Sequence, residues 1–245
     1  MPSLTLGHRL IWFAHCPKAG GTSVERVLVD HFGAAVGHLH WGWDLWWKGG
    51  GWRRADPPNS PQHLIWEDAA QALPRAPDLV FALVRDPVAR LASEYRYQRK
   101  LRRGTRLGRW LAHLPFPLWI RLMLHVARAN PYAFDNHLRP QCDFIPESAT
   151  VFRLEDGMEP VGAWLADHAE AAALVFQVPR LLASGDAAPV INARDQALIA
   201  RVFAADYDRF GYVPPAPAAP GRPLVDLLAR ALSVPVRHLE RRALI

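Results

Sequence analysis

The sequence predicts an α/β fold in three layers, with a central, mainly parallel sheet between helices. Two short apolar runs, at residues 10–14 and 79–84, have the continuous hydrophobic character of strands that are buried on both faces of a parallel sheet. Each run leads through a turn containing Pro into a segment whose apolar residues recur near helical spacing. Strands and helices that alternate in this way indicate an α/β architecture.

The first half of the chain supplies the predicted elements around these two strands. A stretch rich in Gly, Trp and Pro at residues 33–60 has no clean period and is interpreted as a long functional loop or lid. Asp86 and Pro87 open the helix after the second strand, with Asp as the N-cap and Pro in the first turn. The predicted helices of this half are at residues 22–32, 61–73 and 87 to about 102.

The second half is predicted by the same patterns. Its elements are a helical stretch at 107–138 broken at Pro115, Pro117 and Pro131, strands at 150–154 and 174–178, an amphipathic helix at 194–210, a Pro/Ala linker at 214–223 and a basic amphipathic tail at 224–244. We therefore predict one domain over residues 1–213, followed by a linker and tail over 214–245.

Composition excludes several classes of protein. The chain has 245 residues, of which 50% are hydrophobic and 21% charged, so it can bury a core and is neither disordered nor fibrous. Two cysteines, Cys16 and Cys142, cannot form a disulfide framework or a four-thiolate zinc site. No apolar run is long enough for a transmembrane helix, and the N-terminus has the pattern of a first strand rather than a signal peptide. We expect a soluble, cytoplasmic protein.

The charge balance favours an anionic ligand. Lys and Arg number 29 against 23 Asp and Glu, which gives a net charge of +6. Nearly all the basic residues are arginines, whose forked guanidinium suits phosphate and sulfate. A compositional bias towards Arg, Ala and Pro accounts for part of this excess.

The loop between the first strand and the first helix has the features of a phosphate cradle. Gly20 and Gly21 let the backbone approach an anion, and the helix beyond them begins with unpaired N–H groups. Thr22 and Ser23 add hydroxyl donors, and Lys18 adds a point charge. The loop is P-loop-like but is not a Walker A motif, in which Lys directly follows Gly and precedes Ser or Thr. A tight turn without a ligand is the alternative interpretation.

A second basic motif follows the strand at 79–84. Arg85 stands at the carboxyl end of this strand, the edge at which open α/β sheets bind ligands. Ser93 lies two turns along the following helix, and Arg90 lies about one turn before Ser93. A guanidinium and a hydroxyl at this edge can hold a second phosphate.

These two motifs in this order resemble those of the PAPS-dependent sulfotransferases, specifically the carbohydrate-type family that has bacterial members. PKAGGTS at 17–23 is similar to that family's 5′-phosphosulfate loop, and VRDPVARLASEY at 84–95 is similar to its 3′-phosphate motif. Ala19 stands where many relatives carry Thr, which removes one hydroxyl. Looser similarity at 60–63, 135–141, 151–155 and 206–212 extends the resemblance over roughly residues 8–213.

The resemblance implies transfer of a sulfuryl group from PAPS (3′-phosphoadenosine 5′-phosphosulfate) to an acceptor hydroxyl, with PAP as product. The acceptor it implies is a carbohydrate or glycolipid. Residues 18–23, among them Ala19, would hold the phosphosulfate with Lys18 as a catalytic residue, and Arg85 with Ser93 would hold the 3′-phosphate. The displacement is in-line, as in phosphoryl transfer. No metal is expected, because a sulfuryl group carries less charge than a terminal phosphate.

An acceptor hydroxyl must lose a proton to a general base, and three residues are candidates. His63 comes first, because it lies between the two motifs at the start of a predicted helix, where relatives often place the base. Glu67, one helical turn later, comes second, and His137 comes third. His15, beside Cys16, is interpreted as structural.

Candidate acceptor contacts lie elsewhere in the chain. Trp41 and Trp43 belong to a Trp-rich stretch at 38–52 that either stacks on sugar rings or packs the loop onto the core. His137 and Arg139 are further candidates for contact with acceptor or cofactor. A basic stretch at 96–109 is either a solvated helix face or an attractor of acidic glycans.

Other interpretations of the sequence remain open. A nucleoside or small-molecule kinase would require Mg-ATP, and the loop spacing counts against it. A non-catalytic polyanion-binding module would leave Lys18 and Arg85 without a role, and we expect no nucleic-acid partner. The tail at 222–245, with arginines among leucines, is a candidate for peripheral contact with an anionic membrane or for a helix docked on the domain.

Overall fold

The computed structural model describes residues 1–37, 60–73, 75–101, 109–111, 113–168, 189–218 and 223–243. The chain divides into two compact units. The first unit comprises Met1–Arg85 and Gln141–Ala183, and the second comprises Asp86–Pro140 and Ser184–Ile245. The chain therefore leaves the first unit directly after Arg85 and returns to it at Gln141.

The first unit is built on a five-stranded sheet with the strand order β3-β1-β2-β4-β5. Its strands are β1 (Ser3–Leu6), β2 (Arg9–Ala14), β3 (Val36–Gly37), β4 (Leu79–Val84) and β5 (Thr150–Arg153). β2 pairs in parallel with β4, and β4 pairs in parallel with β5. The prediction of a parallel sheet is confirmed for this centre, whereas β1 pairs antiparallel with both β2 and β3.

Helices occur in both units. They are α1 (Gly21–Phe32), α2 (Trp66–Ala72), α3 (Pro87–Leu101), α4 (Phe116–Ala129), α5 (Glu159–His168), α6 (Ala193–Val202), α7 (Ala204–Phe210) and α8 (Pro223–Ala243). Among the described residues, no helix is both long enough and apolar enough to cross a bilayer.

The core of the first unit lies on the two central strands. Phe13 of β2 and Phe81 of β4 are buried, and their rings stack with centroids 4.9 Å apart. The indole of Trp164 on α5 lies 5.0 Å from the Phe81 ring, so α5 covers this part of the sheet. The apolar side chains that predicted buried strands therefore do form the core.

A carboxylate joins the beginnings of β2 and β4. Asp78 precedes β4, and its Oδ2 accepts hydrogen bonds from Nη2 of Arg75 at 2.8 Å and from the backbone N–H of Leu10 at 2.6 Å. These two donors lower the pKa of Asp78 to about 2. The ionised side chain therefore joins two strands that pair directly in the sheet.

Several predicted boundaries differ from the structure for local reasons. Pro115 and Pro117 lie at the N-cap and in the first turn of α4, where proline is tolerated, so they begin this helix instead of breaking it. The helix predicted at 194–210 divides at Phe203 into α6 and α7. The predicted strand at 174–178 and the Trp-rich stretch at 38–52 lie outside the described residues.

The second unit has a helical core with an ion pair inside it. Trp119 and Met123 of α4 are fully buried in this core. On the same helix, the guanidinium of Arg121 pairs with the buried carboxylate of Asp195 on α6, and its Nε lies 2.9 Å from a carboxylate oxygen of Asp226 on α8. Arg121 thus links three helices through charge as well as through packing.

Removal of Asp195 should destabilise the second unit strongly. Asp195→Ala leaves the Arg121 guanidinium buried without its main carboxylate, which typically costs about 3–5 kcal/mol in the free energy of unfolding. Urea denaturation followed by circular dichroism measures this change. Asp30→Ala is the control, because it breaks the exposed Arg26–Asp30 pair and should change stability by less than about 1 kcal/mol. Equal effects of the two substitutions would contradict the assigned importance of the buried pair.

Candidate anion-binding site

The loop between β2 and α1 turns through two residues in the left-handed region. Lys18 has a φ of 66° and Gly20 has a φ of 92°. Gly20 is the N-cap of α1, and its carbonyl oxygen accepts from the N–H of Ser23 at 3.0 Å. Within the described residues no side chain caps α1, and its first turn carries no acidic residue. The positive end of the helix dipole is therefore not neutralised by a neighbouring carboxylate in that turn.

Gly20 is required by its left-handed backbone conformation, and Gly21 is required by packing. A Cβ on Gly20 would lie 3.0 Å from Cδ1 of Leu154, and a Cβ on Gly21 would lie 2.0 Å from Nε2 of His15. The second distance is far inside van der Waals contact. The backbone at Gly21 and the His15 ring therefore occupy adjoining space that leaves no room for a side chain.

A buried carboxylate holds His15 in this position. Nδ1 of His15 lies 2.9 Å from Oε1 of Glu25, and both residues are buried. The ring also stacks on Phe13, with centroids 5.6 Å apart. His15 thus supports the start of α1 from the core side, which agrees with its interpretation as structural.

His63 lies beside His15 in the first unit. It ends a short 3-10 turn at Pro61–His63, where its N–H donates to the carbonyl oxygen of Ser60 at 3.1 Å. Its buried ring meets the His15 ring edge-to-face, with centroids 5.3 Å apart. His63 is therefore one ring away from the side chain that packs on Gly21, whereas Glu67, in the first turn of α2, is exposed.

Arg85 is fixed at the end of β4 by a buried glutamine. The side-chain Oε1 of Gln141 accepts from the backbone N–H of Arg85, and its Nε2 donates to the carbonyl oxygen of Arg85, both at 2.9 Å. Nη1 of Arg85 donates to the carbonyl oxygen of Lys18 at 3.5 Å. The structure therefore brings one residue of the second motif into contact with the first motif.

The second unit contains the remaining residues of the second motif. The carboxylate of Asp86 accepts from the N–H of Ala89 at 2.8 Å, which confirms Asp86 as the N-cap of α3. Ser93 is half-buried on this helix. Arg90 is fully buried, and its guanidinium donates to the carbonyl oxygens of His137 at 3.1 Å and Arg139 at 2.6 Å. Arg90 therefore holds the segment around His137 in place.

His137 is held by its ring as well as by its backbone. Its Nδ1 lies 2.6 Å from Oε2 of buried Glu94, and its ring stacks on Tyr97 with centroids 5.4 Å apart. The other Glu94 oxygen accepts from Nε2 of Gln98 at 2.7 Å, and Oε1 of Gln98 accepts from the Trp119 indole at 3.1 Å. Because Glu94 bonds to Nδ1, it fixes both the orientation of the ring and the nitrogen that bears the proton.

The backbone just before His137 is strained. Phe134, Asp135 and Asn136 have φ values of 54°, 60° and 63°, so three successive residues other than glycine are left-handed. Such a conformation costs about 1–2 kcal/mol per residue and persists only where the surroundings enforce it. Here Nε of Arg139 also donates to Oδ1 of Asn136 at 3.1 Å. Strain of this kind clusters at functional sites, so this segment is a second candidate functional element.

Sequence reasoning identified some of these residues and missed others. It selected both glycines, Lys18, Arg85, His63 and His137. It missed three buried partners, which are Glu25 beside His15, Glu94 beside His137 and Gln141 beside Arg85. Gln141 and Glu94 lie within the motifs quoted above, and this was the only signal that could have found them. Trp41 and Trp43 lie outside the described residues.

Comparison with known proteins gives one match. Residues 4–155, well over half of the chain, match a family model described as "Sulfotransferase family". The matched range contains β2 to β5, β1 except for Ser3, the loop before α1, and the segment around His137. No curated protein and no solved structure matches the chain.

Replacement of Gly21 should disturb the loop through His15. Gly21→Ala places a methyl group on the His15 ring and should cost about 1–3 kcal/mol in unfolding free energy, since overpacking forces neighbours to move. Gly21→Ala combined with His15→Ala should cost less than the sum of the two single changes. Urea denaturation of the four proteins measures this coupling. Strict additivity would show that the ring and the glycine do not compete for the same space.

Proposed function

We propose, because the chain belongs to the sulfotransferase family, that it transfers a sulfuryl group from PAPS to a hydroxyl of a carbohydrate or glycolipid acceptor and releases PAP. Family membership supports sulfuryl transfer in general. The observation that carries the proposal for the donor is the contact between the Arg85 guanidinium and the Lys18 carbonyl oxygen at 3.5 Å. Two cationic residues and an uncapped helix start meet at one loop, and this concentration of positive charge suits a donor with several anionic groups.

The chemistry assigned to the loop is stabilisation of the leaving group. The bond between sulfur and the 5′-phosphate oxygen breaks as the acceptor oxygen bonds to sulfur, so negative charge develops on PAP. The Lys18 ammonium would neutralise this charge, and backbone N–H groups of residues 20–23 would donate to the same oxygens. Donors that are already oriented by the fold need no reorganisation during the reaction, which is why they lower the barrier effectively.

The 3′-phosphate is assigned to Arg85 and Ser93. Gln141 fixes the backbone of Arg85 on both its N–H and its carbonyl oxygen, so the base of this long side chain is held rigidly. The assignment of Ser93 rests on the sequence motif, because this residue belongs to the second unit. Binding energy at a phosphate remote from sulfur would orient the reacting bond.

His63 is the residue we propose as general base. It belongs to the same unit as the loop, and its ring contacts His15, which packs on Gly21. An imidazole is also better suited than the exposed carboxylate of Glu67 to accept a proton near neutral pH. We assign His137 and Arg139 to the acceptor, together with Trp41 and Trp43, and we propose that the reaction requires no metal.

Lys18 and Arg85 should affect different steps. Lys18→Ala should lower kcat by at least about 100-fold, because it removes charge stabilisation in the transition state. Arg85→Ala should raise the Kd for PAP by about tenfold or more, because it removes a charged contact to the 3′-phosphate. Transfer of label from ³⁵S-PAPS to extracted cell glycans and lipids gives the rates, and calorimetry with PAP gives the Kd.

Arg26→Ala is the control for loss of a basic side chain, because Arg26 is exposed in the same unit. It should leave both quantities unchanged. Transfer by Lys18→Ala at the parental rate would show that the assigned role of the loop is wrong.

The general base can be tested in the same assay. His63→Ala should lower kcat by about 10²–10⁴-fold while PAP affinity stays within twofold, since the base acts only in the chemical step. Glu67→Gln is the matched control on the neighbouring helix and should keep the parental rate. If His63→Ala retains full activity, the role passes to Glu67 or His137.

A further inference from the structure

The C-terminal helix α8 packs through one face on α4. Ala229, Ser233 and Val236 are buried on this face, and Asp226 approaches Nε of Arg121 at 2.9 Å. The tail is therefore a docked helix in the second unit, one of the two alternatives that its sequence allowed. This docking accounts for only one side of the helix.

The opposite side of α8 carries apolar side chains in water. Their exposed fractions are 79% for Leu224, 65% for Leu227, 48% for Leu228 and 59% for Val234. Spacings of three, four and ten residues place them on one stripe, which we call the leucine stripe. Of the large hydrophobic side chains exposed among the described residues, half lie on this single helix. Exposed apolar side chains that are grouped on one helix face mark an interaction surface.

Positive charge borders the leucine stripe. Arg230 and Arg237 are seven residues apart, which places them along one edge of the stripe by their helical positions. Asp226, an acidic residue of α8, does not border the stripe, because it faces Arg121 on the docked side. A leucine face with a cationic border is the pattern of helices that lie in the surface of an anionic bilayer.

We propose that the leucine stripe of α8 binds the surface of an anionic membrane and holds the protein there peripherally. The leucines enter the boundary between headgroups and acyl chains, and the arginines contact anionic headgroups. A second copy of the chain fits less well, because a symmetric contact between two stripes would bring the same arginines together. The proposal is independent of the sulfuryl-transfer reaction.

Vesicle sedimentation with the full chain tests this surface. The protein should sediment with vesicles of phosphatidylcholine mixed with phosphatidylglycerol, and much less with vesicles of phosphatidylcholine alone. Raising the salt concentration should weaken this binding, because exposed charges are screened. Leu224→Ser combined with Leu227→Ser and Leu228→Ser should lower the partition coefficient at least tenfold, because less apolar surface enters the lipid.

Controls separate lipid binding from damage to the fold. Val213→Ser removes an apolar side chain that is 88% exposed but lies outside α8, and it should bind vesicles like the parent. The triple variant should keep the parental melting temperature, since its leucines are exposed. Equal vesicle binding by the triple variant and the parent, or no binding of the parent to anionic vesicles at low salt, would overturn the proposal. So would a parental dimer in light scattering that the triple variant abolishes, which would assign the stripe to a second copy.

Discussion

The contact between the His15 ring and the backbone of Gly21 is the constraint on which the candidate site depends. His15 follows the central strand β2, and Gly21 begins α1, so this contact fixes where the helix starts relative to the sheet. Glu25, buried on α1 itself, bonds to the same ring at 2.9 Å and so completes the attachment. A helix start held this firmly presents its N–H groups in a fixed direction, which is what electrostatic stabilisation of an anion requires.

A second set of buried charges performs the corresponding task around α3. Arg90 and Glu94 lie one helical turn apart, and they hold His137 by its carbonyl oxygen and by its ring. Burying these charges is costly, and the left-handed residues just before His137 add backbone strain. Helix α3 carries the half-buried Ser93. The same helix therefore also fixes the segment around His137, which we assign to the acceptor.

The sequence predicted those features that depend on local chain properties. β4 was predicted with its observed bounds, and the loop before α1 was recognised because glycine conformation and helix-end electrostatics are properties of neighbouring residues. The β1–β2 hairpin was missed, because its first strand is only four residues long and has no continuous apolar run. The partners Gln141 and Arg85 are 56 residues apart, and pairing at such a distance is decided by tertiary packing, which periodicity does not report.

Calorimetric titration of the protein without metal tests the central claim most directly, when PAP is compared with adenosine 5′-monophosphate, which differs from it only in lacking the 3′-phosphate. If Lys18 and Arg85 belong to one donor site, PAP should bind with measurable heat, and the compound without the 3′-phosphate should bind at least about tenfold more weakly. Absence of heat with PAP, or equal affinity for the two compounds, would contradict the account.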